Sequence, residues 1–379
     1  MILHSSDSEK RVICISNHAH MVGGGEHSFL SLLTSLPALW AVLAAVPSEG
    51  LLLERLRQNN VRTQIIPLPS IAPWSIHRIV KSLAHFIELC RGFRPSLIYA
   101  NGSRAAFYGS TAGRFMGIPV LWHCRIAERD PYLDWHLTRL SSQIVANSRA
   151  TAKRFNKFGQ TKVKVVYNGI DLAWLNDLNI QHSDLIQPGW KIILVAARAS
   201  KLKRHDIALA AFEQVARVVN NSHLIFIGDK DRNDESWWDE LQKKTQLSPF
   251  SKSIHWIGHI DDLRPWYRAA NVLLFPSENE AFGRVLVEAM GSGLPVIAVH
   301  SGAVPEIIKN IQDGIIVSRG SVGEVADAIT KLLNNKSLAF RLSKAGRIRA
   351  QQFSLDRHVD KMVQVFDETV ESHAKHIRR

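Results

Sequence analysis

The sequence predicts an α/β protein made of two doubly wound parallel-sheet domains in tandem. Two series of short β-branched runs, each alternating with longer amphipathic stretches, are the first observation. Such alternation calls for βαβ units and a sheet covered on both faces. Size is the second: 379 residues, 46% of them apolar, suffice for two ordinary cores. The third is a turn signal, Tyr167-Asn168-Gly169-Ile170-Asp171, between the two series.

In chain order, the first series places strands at residues 12–15, 41–46, 64–66, 97–99, 120–122 and 143–146. The second places them at 191–195, 224–227, 253–257, 272–275, 295–298 and 314–317. Residues 171–189 lack clear periodicity and are the expected linker, with domains at 1–175 and 176–354. A long helix in the closing stretch 355–379 carries Val359, Met362, Val363, Val365 and Phe366 on its apolar side. In open sheets of this kind ligands bind outside the carboxyl ends of strands, so the loops that follow strands are where chemistry is expected.

Composition narrows the classes. Cys14, Cys90 and Cys124 are odd in number, widely spaced and free of CxxC or His-Cys clustering, which argues against a disulfide framework or a zinc site and fits a reducing cytosol. Residues 1–10 do not read as a secretory signal, and the longest apolar run, 36–46, is too short for a membrane span. The expected location is cytoplasmic. A net charge of +13 implies attraction to polyanions: nucleic acid, an anionic membrane leaflet or phosphorylated substrates. No RNA or DNA recognition motif accompanies the charge, which disfavours nucleic acid.

Three stretches carry candidate chemistry. Gly23-Gly24-Gly25-Glu26 follows the first strand and precedes an apolar helix pattern, so its amides can cradle a phosphate; alone, it is as readily a flexible turn. Arg198 and Lys203 leave the first strand of the second series, where two cations can neutralise a departing diphosphate, although a basic loop is usually solvated surface. The third stretch runs from Glu280 through Ala281, Phe282, Gly283 and Val285 to Glu288. If helical throughout, it would set the two carboxylates roughly 12 Å apart, about the span from a hexose to a ribose across a pyrophosphate. Glu280 can then accept from sugar hydroxyls and Glu288 from the ribose, with the amides of Phe282 and Gly283 facing the sugar and phosphates. Taken singly, Glu288 reads more readily as an exposed helical glutamate, but Gly291-Ser-Gly-Leu-Pro then turns straight into another buried strand, which limits its exposure.

The Glu280-x7-Glu288 stretch, with the trailing Gly293-x-Pro295-Val296-Ile297-Ala298, resembles the signature of retaining glycosyltransferases of family 4, which have the GT-B fold. Gly23-Gly24-Gly25-Glu26 is similar to the family's amino-terminal glycine loop, Asn147-Ser148 to its serine-marked strand end, and Val166 to Asp171 to its interdomain element. Arg198 and Lys203 resemble its Arg-x4-Lys pair, and Gly302 to Glu306 its Pro-Glu turn. The sequence departs from the family pattern at Gly25, Arg284 and Ser301. The resemblance implies two Rossmann-like domains facing across a cleft, an acceptor-binding first domain and a donor-binding second one, with the final helix packing back on the first. It implies Arg198 and Lys203 on the donor diphosphate, Glu280 on the sugar, Glu288 on the ribose and backbone near Ile257-Gly258-His259 on the base. Gly24 and Gly25 become donor contacts, and His123 the histidine beside the transferred sugar; without the resemblance, a lone histidine after a strand reads as structural.

The reaction so implied moves a hexose from a nucleoside diphosphate to a saccharide or lipid-linked saccharide with retention, UDP-glucose being the first expected donor. A leaving phosphate oxygen takes the acceptor proton, so no general base is assigned. No cofactor or metal is expected: Asp229-Lys230-Asp231 reads as a solvated turn, and His18 and His20 lack a third ligand. Residues 75–94 carry Ile76, Ile79, Val80, Leu83, Phe86 and Ile87 on one helical face beside His77, Arg78, Lys81 and Arg91. This reads as a helix packed on its own sheet, or as peripheral docking on an anionic inner leaflet. The alternatives are a sugar-nucleotide epimerase of similar architecture and a non-catalytic partner of another transferase.

Overall fold

The computed structural model describes residues 10–21, 23–155, 159–177, 185–231 and 233–377. Most of the opening segment 1–10, the middle of the expected linker (178–184) and Arg232 of the polar loop lie outside the described residues.

Two all-parallel sheets form, one of seven strands and one of six. The first contains β1 (Lys10–Ser16), β2 (Trp40–Val46), β3 (Arg62–Ile65), β4 (Leu97–Asn101), β5 (Val120–Cys124), β6 (Gln143–Ala146) and β7 (Val163–Val165), in the order β3-β2-β1-β4-β5-β6-β7. The second contains β8 (Lys191–Ala196), β9 (Ser222–Ile227), β10 (Ile254–Trp256), β11 (Val272–Phe275), β12 (Val296–Val299) and β13 (Ile315–Val317), in the order β10-β9-β8-β11-β12-β13. Both are Rossmann-like and doubly wound: each starts near its middle, winds to one edge, then returns to wind to the other. Every expected strand is present. Only β7 has no sequence counterpart; it is a three-residue edge strand, partly exposed throughout, whose short Val-Lys-Val merges with the turn signal that follows.

The chain divides into two compact units, residues up to Gly169 together with Leu355 onward, and Ile170–Ser354. The division falls ahead of position 175 because the helix Leu172–Asn176 belongs with the second unit: Leu172 and Leu175 lie against Gly291, where an added Cβ would come within 2.8 Å and 3.3 Å of them.

In the first unit, Val12, Cys14, Ala44, Tyr99 and Leu121 form one buried face of the sheet, and the helix Leu355–Ile377 lays Met362 and Phe366 onto it. Phe366 meets Trp40 at 5.4 Å and Tyr99 at 5.6 Å between ring centroids. Gly169 is needed where this helix begins, since a Cβ there would stand 2.7 Å from the Cβ of His358. On the opposite face, the helix Ile76–Phe93 buries Ile79, Phe86 and Cys90. The single apolar face expected for it is split: Ile76 and Val80 are 62% and 58% exposed, one turn apart and away from the sheet. No described helix is long and apolar enough to cross a membrane.

Candidate functional site

In the second unit, β8 and β11 are neighbours from which the chain winds in opposite directions, so their carboxyl ends flank a switch point, where open α/β sheets bind ligands. The loop after β8 carries Arg198 and Lys203; the loop after β11 carries Glu280. Across the switch, Lys203 Nζ donates to Glu280 Oε2 at 2.6 Å, with both side chains largely covered. The backbone of Glu280 is seated by the loop after β12: Ala303 N donates to its carbonyl at 2.9 Å. Gly302 (φ +51°) lies so close that a Cβ would stand 2.1 Å from that oxygen. Ser301, a departure from the family pattern, has its own task, accepting the amide of Asn279 at 2.7 Å. That bond holds a left-handed residue (φ +54°) one place before Glu280.

The stretch from Glu280 to Glu288 is not helical throughout, which removes the roughly 12 Å spacing expected from helical rise. Gly283 (φ +92°) caps a helix that begins only at Arg284. Phe282 is buried and meets Phe353 edge-on at 5.8 Å, so its side chain anchors the loop in the core. Val285 sits in the first helical turn, partly covered. Glu288, one turn further, accepts from Tyr267 Oη at 3.0 Å and from Arg284 at 3.1 Å.

Arg198 is more exposed and pairs with Asp231, Nε to Oδ2 at 3.3 Å. Asp229 accepts the amide of His259 at 3.1 Å. Both acids of Asp229-Lys230-Asp231 therefore hold neighbouring loops. Around Ile257, the amide donates to Phe226 O at 3.0 Å and the carbonyl of Gly258 accepts from Gly228 at 2.8 Å, so these two backbone groups already serve the fold.

The first unit brings Gly24, Gly25 and His123 to the carboxyl ends of β1 and β5. Gly24 and Gly25 open the helix Gly24–Ser35, with the Glu26 carboxylate accepting the Gly23 amide at 3.1 Å. His123 is fully buried; its Nδ1 bonds Tyr99 Oη at 2.8 Å, and its Nε2 has no partner among the described residues. Burial holds its pKa well below the ordinary histidine value, and Arg125 and His358 add to the effect, so the imidazole is neutral. Arg125, which no sequence motif marks, joins this cluster: it donates to Asn101 at 2.5 Å, Asn168 at 2.6 Å and Tyr99 at 3.1 Å. Gly25 leaves it room, since a Cβ there would be 3.3 Å from Arg125 Cδ. Its position two residues past His123, directly after a strand, was the available signal. Among the described residues no group of three His, Cys, Asp or Glu side chains is placed to hold a metal ion.

Two family models match, together spanning most of the chain: Glycosyltransferase Family 4 over residues 22–174, and Glycosyl transferases group 1 over residues 178–349. The chain belongs to the family 4 glycosyltransferases. Among relatives of this glycosyltransferase, an uncharacterized glycosyltransferase of Methanocaldococcus jannaschii is 27% identical over 77% of this chain and 73% of its own length. D-inositol 3-phosphate glycosyltransferase of Segniliparus rotundus is 26% identical over 58% of this chain, and the match covers about half, 51%, of that relative. Among solved structures, Anabaena HepE in complex with UDP-glucose superposes with a TM-score of 0.79 at 18% identity, covering 94% of this chain and 99% of that one. Sucrose-phosphate synthase of Thermosynechococcus elongatus does so with a TM-score of 0.76 at 19% identity, covering 96% and 100%. The fold is that of the GT-B glycosyltransferases.

Proposed function

We propose that this glycosyltransferase moves a hexose, with UDP-glucose as the first donor to test, from a nucleoside diphosphate to a saccharide or lipid-linked saccharide, retaining anomeric configuration. The observation that carries the reading is the Lys203–Glu280 pair at 2.6 Å across the switch point. It sets a cation and a carboxylate side by side where a diphosphate and its sugar need one each. Lys203 and Arg198 take the diphosphate, Glu280 the sugar hydroxyls, Glu288 the ribose and the carbonyl of Ile257, rather than its engaged amide, the base. In the first unit, the first-turn amides of Gly24 and Gly25 form a positive dipole end suited to an anion. The HepE complex with UDP-glucose supports a donor of this class.

Charge stabilisation of the departing diphosphate lowers the barrier to an oxocarbenium-like transition state, and a phosphate oxygen takes the acceptor proton. His123, neutral and fixed by Tyr99, is assigned to the sugar as a hydrogen-bonding group. No metal is required in this scheme, since Arg198 and Lys203 supply the neutralising charge. Peripheral contact with an anionic membrane belongs to the same reading: Trp74, Ile76 and Val80 are 75%, 62% and 58% exposed, beside Arg78 and Lys81. Flotation with anionic but not neutral vesicles tests that part.

The decisive experiment incubates the protein with UDP-, GDP- and ADP-sugars, with and without a chelator, and reads nucleotide release. Release from at least one donor, unchanged by chelator and lowered about 100-fold by Lys203→Ala, is expected. No release from any donor, with any saccharide acceptor supplied, would overturn the reading.

A further inference from the structure

We propose that Glu278 is a positioning residue which, through Arg204 and its own backbone amide, keeps the Lys203 and Glu280 loops in register when the donor separates their ion pair; the proposal rests on the donor reading above. Glu278 is 8% exposed, and a carboxylate so covered is costly unless paired. It is paired twice: Oε1 accepts from Arg204 and Oε2 from Arg319, both in short contacts. The two guanidiniums, Arg319 first, hold its carboxyl below the usual carboxylate range. Its backbone serves the same end, since the Glu278 amide donates to Leu202 O at 2.8 Å.

Three ties therefore join the loop after β8 to the loop after β11: Glu278 N to Leu202 O, Arg204 to Glu278, and Lys203 to Glu280. Only the last is made by groups that the donor reading sends elsewhere, Lys203 to phosphate and Glu280 to sugar. Among the described residues, the two named ties that remain once those two part both run through Glu278.

Arg204 shows that the tie has a cost. It lies at φ +50°, ψ +46°, a left-handed conformation that glycine adopts freely and a long side chain does not. Its guanidinium is also forked onto Asp206, with Nε 3.0 Å from Oδ1 and NH2 2.9 Å from Oδ2. That fork aims the remaining nitrogen, NH1, at Glu278. Arginine at this strained cap is accounted for by the link it makes, not by the turn.

The test uses Glu278→Gln and Arg204→Gly in the full chain. Glycine relieves the left-handed strain while removing the link, so the fold and the tie are separated in one variant. The thermal midpoint is read with and without UDP-glucose, GDP-mannose and ADP-glucose, and KM for donor is read from nucleotide release. The parent is expected to gain a higher midpoint from at least one of the three. Arg204→Gly should match the parent without nucleotide, lose most of that gain, and raise donor KM about tenfold or more. Arg204→Lys, which keeps a cation near Glu278, should recover part of both. A parent with no gain from any of the three overturns the donor reading and this proposal together. A parent that gains, with variants gaining equally at unchanged KM, overturns the positioning role alone; so does a lower midpoint in both variants with KM unchanged.

Discussion

The phenol of Tyr267 donates to Glu288 Oε2 at 3.0 Å, while Arg284, one turn earlier on the same helix as Glu288, donates to Oε1 at 3.1 Å. Burial, reinforced by the charge of Glu288, pushes the Tyr267 hydroxyl well above its ordinary pKa, so it stays a donor. The carboxylate is thus fixed from two sides, and its remaining lone pairs suit a vicinal diol. Glu288→Gln is expected to weaken nucleoside diphosphate binding about tenfold with kcat within a few-fold. Tyr267→Phe should weaken it about fivefold, the scale of one hydrogen bond. Calorimetric titration checks both, and a kcat loss matching the affinity loss would place Glu288 at the reacting centre instead.

Removing either cation at the switch point should strike turnover. Arg198→Ala and Lys203→Ala are each expected to lower kcat about 100-fold, the scale of losing one preorganised donor to developing charge. Stability should hardly move for Arg198→Ala, because its pair with Asp231 is half exposed and such pairs contribute about 0–1 kcal/mol. Initial rates with a thermal melt on the same preparations separate the two effects; turnover near that of the parent would dismiss the phosphate clamp.

Gly302→Ala tests how tightly Glu280 is held. At φ +51° with a prospective Cβ 2.1 Å from the Glu280 carbonyl oxygen, the methyl group forces one loop away from the other. A loss of activity at least as large as that of Glu280→Gln is expected, together with a lower thermal midpoint. Activity equal to the parent would mean that the Glu280 loop tolerates displacement.

Acid should weaken the second unit through His205. Burial drives its pKa from 6.5 down to about 4. As pH falls, the unfolded chain takes up the proton first, so this contribution is complete above about pH 6.5 and is lost progressively toward pH 4, by about 3 kcal/mol in all. His205→Phe keeps an aromatic ring among Phe226 and Trp256 and should flatten the dependence of unfolding free energy on pH across that window. Urea titrations at several pH values decide it, since equal slopes in parent and variant would assign the acid sensitivity elsewhere.

The architecture was legible because buried parallel strands are dense in Val, Ile and Leu, and their spacing by helical stretches leaves few other folds. The strand β7 was not, being short, partly exposed and joined to a turn. In the site, Lys203 and Glu280 were legible as residue types at fixed spacing, whereas their 2.6 Å contact was not, because it depends on which strands become neighbours. Nothing in the sequence singles out Arg204 or Glu278. Only the left-handed backbone of one and the burial of the other set them apart. The stretch from Glu280 to Glu288 is not one helix for a local reason: Gly283 adopts positive φ and the helix starts only after it, which no periodicity of apolar residues reports.

The first unit is completed by residues on both sides of Ile170–Ser354. During synthesis, the sheet face that receives Met362 and Phe366 emerges with Val12, Ala44 and Tyr99 uncovered, and it waits until the whole second unit has been translated. At roughly 5–20 residues per second that interval is on the order of ten to forty seconds, long enough for an apolar sheet face to need a chaperone or a transient substitute. Nascent chains stalled before Leu355 should therefore be the aggregation-prone species of this protein, whereas chains released after Ile377 carry their own cover.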